Sequence, residues 1–323
     1  MPNQTKPRQY GLDFLKGIAA CFVVFMHVKF PDQFGDYVAR VGTFAVPVFF
    51  MTSGYFALNA SRSKVLRSLK RTAVYLLVAY LLNIVRIMVT MGFDMGSVFR
   101  FFTTEVLAPQ HLLKVLVFSQ SKLSGVAWFL ISLMMCYALK YLLGKKLRYL
   151  GYAGAVIGII GVLPPVSNYV GLPINNPWIN GIPFFIIGEL LHEHKAWVQE
   201  HIPNWLMVVS SIAGLAISIA ACYYGTQWWY CGTLLLSPAL FILSSRSDMK
   251  YNPICLMGST YAFFIYIIHP LMMHAYDAIR TAPSTTELWL RPLIVLALTI
   301  LLAIIYYSAK RFFIPIKAIQ KEK

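Results

Sequence analysis

The chain is built from long apolar runs separated by short polar stretches. Most runs are about twenty residues long, the length of an α-helix that crosses a bilayer. Ten runs of this kind predict ten spans: residues 11–29, 41–60, 72–91, 126–143, 149–166, 178–192, 205–224, 228–244, 254–276 and 288–310. The pattern therefore predicts an all-α, polytopic integral membrane protein with about ten transmembrane helices.

Two stretches between spans differ in their pattern. Residues 92–125 are too long for a plain loop, and they hold two segments of helical apolar spacing that are divided by Pro109. We predict two short re-entrant or interfacial helices there. The other stretch follows the first span and is predicted as a short loop; it contains Pro31, Asp32, Gln33, Gly35 and Asp36.

Small and helix-breaking residues occur inside two spans. Pro47 and Gly54 weaken the second span as a regular helix, which a membrane tolerates only beside protein or water. The fifth span has glycines on one face, and such a face favours close packing against another helix. These glycines are Gly151, Gly154, Gly158 and Gly161.

Composition and charge support a membrane protein and give its orientation. Hydrophobic residues make up 58% of the 323 residues and charged residues only 12%, and the net charge is +16. Of the 28 lysines and arginines, 20 fall on the side that holds both termini. Because basic residues collect in cytoplasmic loops, we expect both termini in the cytoplasm and explain the charge by topology rather than by nucleic-acid binding.

One transmembrane domain, residues 1–323, is predicted, with a short leader at 1–10 and a basic tail at 311–323. The first run follows a basic leader, contains charge and lacks an A-x-A-like site, so we expect it to remain as a signal anchor. The five cysteines form no C-x-x-C pair and are interpreted as small buried hydrophobes. Whether Cys222 and Cys231 pair across their short loop is left open.

The first span carries the sharpest candidates for chemistry. It is apolar yet contains Asp13, Lys16 and His27, and ionisable groups within a span need a partner, a wet cavity or a function. Lys16 and His27 lie on nearly one helix face, roughly 16 Å apart along the axis, with Asp13 on the same stripe. His27 is a candidate general base or a histidine satisfied by a carbonyl or the headgroups. Lys16 is a functional cation or a snorkelling lysine paired with Asp13.

A second candidate is the basic stretch 62–71, which has five basic residues and no acid. Arg67, Lys70 and Arg71 are spaced to share one helix face, where their donors could hold phosphate. The alternative is that they serve orientation alone. Glu189 and Arg86 lie within spans and are interpreted as structural ion-pair partners. No metal site is predicted, because His192, His194 and His201 lack a recognisable zinc spacing.

Five segments in order resemble the membrane-bound acyltransferase family 3. LDFLKGIAACFVVFMH, residues 12–27, resembles the family's first span, in which an arginine or lysine is followed by ten residues and a histidine; here these are Lys16 and His27. The other four segments are FAVPVFFMTSGYF at 44–56, RSLKR at 67–71, VAWFL at 126–130 and STYAFFIYIIHP at 259–270.

The resemblance implies transfer of an acyl group, usually acetyl, from cytoplasmic acyl-CoA to a hydroxyl of an extracytoplasmic glycan at the bacterial cytoplasmic membrane. It assigns His27 and Lys16 to the active site. His27 would act as general base, and Lys16, Arg67, Lys70 and Arg71 would serve the donor, with no tightly bound cofactor. Candidate lining residues are Asp13, Tyr55, Trp128, Tyr261 and His269.

Two other functions also agree with the sequence. Broken helices and buried charge are found in transporters, so a carrier of acyl groups or small metabolites is the main alternative, although the two halves show no inverted repeat. A non-enzymatic membrane partner of a polysaccharide export machine is the third interpretation. The acceptor sugar, the size of the acyl group, the oxyanion donors and the oligomeric state are not predicted.

Overall fold

A computed structural model of the chain describes residues 9–163, 166, 174–280 and 282–313. This part is helical and contains no strand. We number its helices α1 (Tyr10–His27), α2 (Asp32–Val41), α3 (Ala45–Ala57), α4 (Arg62–Thr90), α5 (Met95–Phe101), α6 (Pro109–Phe118), α7 (Trp128–Leu143), α8 (Leu147–Gly161), α9 (Ile182–Glu193), α10 (Lys195–His201), α11 (Asn204–Tyr223), α12 (Trp229–Arg246), α13 (Pro253–Leu256), α14 (Ala262–Ile279) and α15 (Thr285–Phe313).

Six helical stretches of the described chain are long and apolar enough to cross a bilayer. They are Tyr10–His27, Arg62–Thr90, Trp128–Gly161, Asn204–Tyr223, Pro253–Ile279 and Thr285–Arg311. The long stretch at 128–161 turns at Gly144, where the backbone has a positive φ, so it holds two of the predicted spans. Each of the ten predicted spans contains a helix, and the polytopic all-α fold is confirmed.

Contacts of α1 show which ends of two later helices lie near each of its own ends. Gly11 at the start of α1 meets the end of α12, and His27 at the end of α1 meets α14. We call the end of the bundle where α1 begins the basic side, because α4 begins there with its five cations and Arg148 at the start of α8 pairs with Glu193. We call the opposite end the histidine side.

The expectation of a loop after the first span was wrong. Residues 32–41 form the helix α2 rather than a loop, and Arg40 near its end lies over the Trp229 ring, 5.7 Å from its centre. The polar stretch after α9 also continues as a helix, α10. In both places a polar helix lies along the end of the bundle, so it lacks the long apolar run that marked the spans.

The two short helices predicted at 92–125 are confirmed as α5 and α6, with Pro109 in the first turn of α6. Asp94 caps α5; its carboxylate accepts hydrogen bonds from Ser97 and from the Gly96 N–H, and these bonds hold its pKa below the ordinary value. The Trp178 indole donates to the Val117 carbonyl at 2.7 Å, which ties α6 to the turn before α9 on the histidine side.

The helices approach each other most closely at glycines. The glycine face of α8 is confirmed: Gly151, Gly154, Gly158 and Gly161 are buried, and the first three face Ile186, the Trp178 carbonyl and the Tyr230 ring. A Cβ on Gly188 of α9 would lie 2.0 Å from the Met51 carbonyl oxygen of α3. Gly54 meets α9 in the same way, which explains the glycine in the second predicted span.

Candidate functional site

His27 is the last residue of α1, a central helix that contacts α3, α12, α14 and α15. Half of the residues of α1 are buried, but the His27 side chain is exposed on the histidine side. Within the described chain, its imidazole makes no hydrogen bond to protein. Both ring nitrogens of His27 are therefore without a hydrogen-bond partner in the described part of the chain.

His269 of α14 lies directly beside it. The two imidazole centroids are 5.2 Å apart and their planes differ by 32°. Unlike His27, His269 is fully buried, and its Nδ1 lies 3.1 Å from the Ile265 carbonyl oxygen one turn earlier in the helix. A carbonyl only accepts hydrogen bonds, so Nδ1 carries the proton and Nε2 presents a lone pair. That Nε2 is buried and has no hydrogen-bond partner within the described chain.

The other end of α1 is fixed by a close contact with the segment between α13 and α14. Residues 257–261 form a π-helical turn, and a Cβ on Gly258 would lie 1.8 Å from the Asp13 carbonyl oxygen. π-helical turns inside longer helices are frequent at functional sites. The turn places Tyr261, one of the candidate lining residues, beside α1 and against the Tyr307 ring at 5.3 Å.

Lys16 is paired with Asp13 in this region. Its Nζ lies 2.7 Å from Asp13 Oδ1, and the two side chains are only 17% and 12% exposed. The pairing considered from the sequence is therefore present, and it neutralises the charge of Lys16 within the bundle. Any contact between Lys16 and a donor substrate would compete with this ion pair.

Arg67, Lys70 and Arg71 lie together on α4 at the basic side, as their spacing predicts. All three side chains are exposed, and none has a carboxylate within ion-pair distance in the described part of the chain. Lys16, by contrast, is paired with Asp13, and Lys140 of α7 is paired with Glu189. We call these three residues the α4 cation cluster.

The remaining candidate lining residues do not reach His27. Tyr55 lies at the basic side, where its ring stacks on His192 with 4.5 Å between centroids. Together with Lys195 and Arg246, it lines a small cavity. Trp128 begins α7 and packs 6.3 Å from Phe50. The sequence offered only the residue type at these positions, so it could not tell which of them the fold brings to His27.

One buried ion pair was missed by the sequence analysis. Lys140 of α7 and Glu189 of α9 are 2.5 Å apart, with side chains 7% and 5% exposed. Glu189 was expected to have a partner, and the partner is Lys140. Arg86 makes no such pair in the described chain; its Nε donates to Asn83 at 3.3 Å.

The five cysteines are all free, so Cys222 and Cys231 are not bonded.

The comparisons with known proteins agree with the geometry. Neither the curated proteins nor the solved structures gave a match. The family model described as an acyltransferase domain, acyltransferase family 3, matches residues 9–308. This is nearly the whole chain, and it includes every candidate site residue named above. The chain therefore belongs to the membrane acyltransferase 3 family.

Proposed function

We propose that this membrane acyltransferase moves an acetyl group from cytoplasmic acyl-CoA to a hydroxyl of an extracytoplasmic glycan. One observation carries the proposal: an unpaired cation cluster and an exposed imidazole lie at opposite ends of the same bundle. The α4 cation cluster is suited to the phosphates of coenzyme A, and His27 is suited to removing a hydroxyl proton. The basic side then faces the cytoplasm, in agreement with the distribution of lysine and arginine.

The thioester must travel between the two ends. Lys16 and His27 are roughly 16 Å apart along α1, and the thin acyl-bearing arm of the donor spans a path of that order between helices. The phosphates remain at the basic side, while the thioester reaches the histidine side. Water-soluble donor and extracytoplasmic acceptor thus meet without either of them crossing the membrane.

The transfer itself is an acyl substitution. His27 takes the proton of the acceptor hydroxyl while the hydroxyl oxygen attacks the thioester carbonyl carbon. The tetrahedral intermediate collapses, the carbon–sulfur bond breaks, and the sulfur leaves with the electron pair. The proton on His27 passes to that sulfur, giving free coenzyme A thiol, an acylated glycan and neutral His27.

The α4 cation cluster gives a direct test. We expect the triple substitution of Arg67, Lys70 and Arg71 by Gln to weaken acetyl-CoA binding to purified protein in lipid. Exposed charge contacts contribute about 0.5–1 kcal/mol each, so three of them correspond to a loss of roughly 10- to 100-fold in affinity. The double substitution of Lys145 and Lys146 by Gln is the control, because both lysines are exposed on the same side.

Unchanged donor binding in the triple variant at normal protein levels would mean that the cluster serves orientation alone. The activity is tested separately by mass analysis of surface glycans from cells with and without the protein. An acetyl mass difference per sugar supports the enzyme. Unchanged glycans together with altered uptake of a metabolite would support the transporter instead.

A further inference from the structure

The Nε2 atom of His269 is a buried acceptor that lacks a donor. Its partner nitrogen already donates to the Ile265 carbonyl, so the tautomer is fixed and Nε2 can only accept. An acceptor buried without a hydrogen bond is costly in any fold, and such groups are rare. The side chain is also completely enclosed, so bulk water does not compensate for the missing donor.

A side chain able to donate, His27, lies directly beside His269. Two imidazoles joined edge to edge by one hydrogen bond have centroids about 5 Å apart, since the bond spans about 3 Å and each nitrogen lies about 1 Å from its ring centre. The observed separation is 5.2 Å with a tilt of 32°. A turn of the exposed His27 ring, without backbone movement, would direct an N–H at Nε2.

We propose that His269 is the positioning residue for His27, holding one His27 N–H on its Nε2 and so leaving the other His27 nitrogen bare for the acceptor hydroxyl. This inference rests on the proposed function. When His27 takes the hydroxyl proton, its positive charge is stabilised by a chain of hydrogen bonds through His269 to the Ile265 carbonyl. His269 remains neutral throughout, and the proton leaves from His27 to the departing sulfur.

The arrangement performs the role that a carboxylate has beside a catalytic histidine in other enzymes, where it fixes the tautomer and stabilises the imidazolium. A neutral acceptor suits this position, because the surroundings of His269 are apolar and a buried charge would need its own partner. Tyr266 of the same helix lies 6.1 Å away, and its hydroxyl donates to the Val126 carbonyl, so it does not supply the missing donor.

The inference predicts different results for two substitutions of similar size. His269→Asn keeps a donor for the Ile265 carbonyl but ends short of the Nε2 position. His269→Gln can place an amide oxygen near that position. In acyl transfer by purified protein in lipid, we expect kcat to fall roughly 10- to 100-fold in His269→Asn, part of the contribution of a positioned base. The KM for the donor stays unchanged, and His269→Gln recovers part of kcat.

The pH profile adds a readout that a purely structural role would not move. The acceptor at Nε2 stabilises protonated His27 more than neutral His27, so the acid limb of kcat moves to lower pH in His269→Asn. Other ionisable groups of the surrounding elements on the histidine side do not change in this variant. They include the Lys29–Asp36 pair, Arg40, Arg86, His274 and the pairs Asp277–Arg291 and Arg280–Glu287.

Three outcomes separate the possibilities. In the first, His269→Asn keeps the native kcat and the native acid limb while His27→Ala is inactive. This result would overturn the inference and leave the proposed function standing. Full turnover in His27→Ala would overturn this inference together with the assignment of His27 as base, whereas a wild-type protein that transfers no acetyl group would overturn the proposed function itself. Equal losses in both His269 variants, with lower thermal unfolding temperatures and an unmoved limb, would assign His269 a structural role.

If the His269 variants do not fold, nitrogen-15 spectra of histidine-labelled wild-type protein in lipid replace them. We expect a signal shifted by an N–H···N hydrogen bond that disappears in His27→Ala. Identical histidine signals in the two proteins, apart from the missing residue, would overturn the inference.

Discussion

The buried pair Lys140–Glu189 allows the most quantitative prediction about the fold. The substitution Lys140→Met keeps the length and apolar stem of the side chain and removes only the ammonium group. It leaves the Glu189 carboxylate, whose side chain is 5% exposed, without its partner at 2.5 Å. The variant must either keep an unpaired buried charge or fold with a protonated carboxyl.

Folding with a protonated carboxyl sets the size of the loss in unfolding free energy. At pH 7, protonating a carboxyl whose ordinary pKa is about 4.3 costs about 3.7 kcal/mol. Breaking a buried pair costs about 3–5 kcal/mol, which agrees with this figure. We therefore expect Lys140→Met to lose about 3–4 kcal/mol of unfolding free energy at pH 7. Because folding then takes up a proton, the loss should shrink by about 1.4 kcal/mol for each unit that the pH is lowered towards 5.

The assay is reversible unfolding in mixed micelles, followed between pH 5 and 8. The double variant Lys140→Met, Glu189→Met should recover most of the loss, since no buried charge is left. Arg148→Met is the matched control on the same side; it removes an ion pair whose side chains are 27% and 29% exposed, and should cost about 1 kcal/mol or less. A Lys140→Met loss below 1 kcal/mol, or one that is independent of pH, would refute the reasoning.

Three further predictions concern topology, catalysis and packing. Reporter fusions at residues 66 and 110 should report opposite sides of the membrane, with 66 inside; finding both on one side would contradict the orientation. His27→Ala should fold and bind donor but lose roughly 10²–10⁴ of turnover in lipid at matched protein levels, whereas full turnover would falsify its assignment as base. Gly188→Ala should lower the thermal unfolding temperature, because its Cβ would lie 2.0 Å from a carbonyl oxygen of α3. Gly125→Ala, with open space around it, is the control, and equal effects would count against close packing.

The spans could be predicted because membrane crossing leaves a local signal, a run of about twenty apolar residues. The helices α2 and α10 could not be found in this way. Both are short and polar on one face, and they lie along the end of the bundle, where no long run is needed. Arg40 of α2 also contacts Trp229, which is far away in sequence, and a local pattern does not reveal such a contact.

The same difference between local and distant signals explains which contacts of the candidate site could be predicted from the sequence. Lys16 with Asp13, and the α4 cation cluster, each follow from spacing on one helix, and the structure brings each set together. His27 and His269 come from opposite ends of the chain, and Lys140 and Glu189 from different helices. No periodicity connects such residues, because only the packing of the helices decides which side chains meet.

The ionisable candidates of this bundle differ in whether the protein itself supplies their partners. Charge inside a membrane is expensive, and Lys16 and Lys140 are both neutralised by a carboxylate within 3 Å. Among the groups without a protein partner in the described chain are the α4 cation cluster at the basic side and Nε2 of His269 at the histidine side. Unlike the interior lysines, these groups have no protein partner in the described chain. In the function we propose, these groups gain partners during the reaction: an anionic donor binds the α4 cation cluster, and the neighbouring His27 directs an N–H at Nε2 of His269.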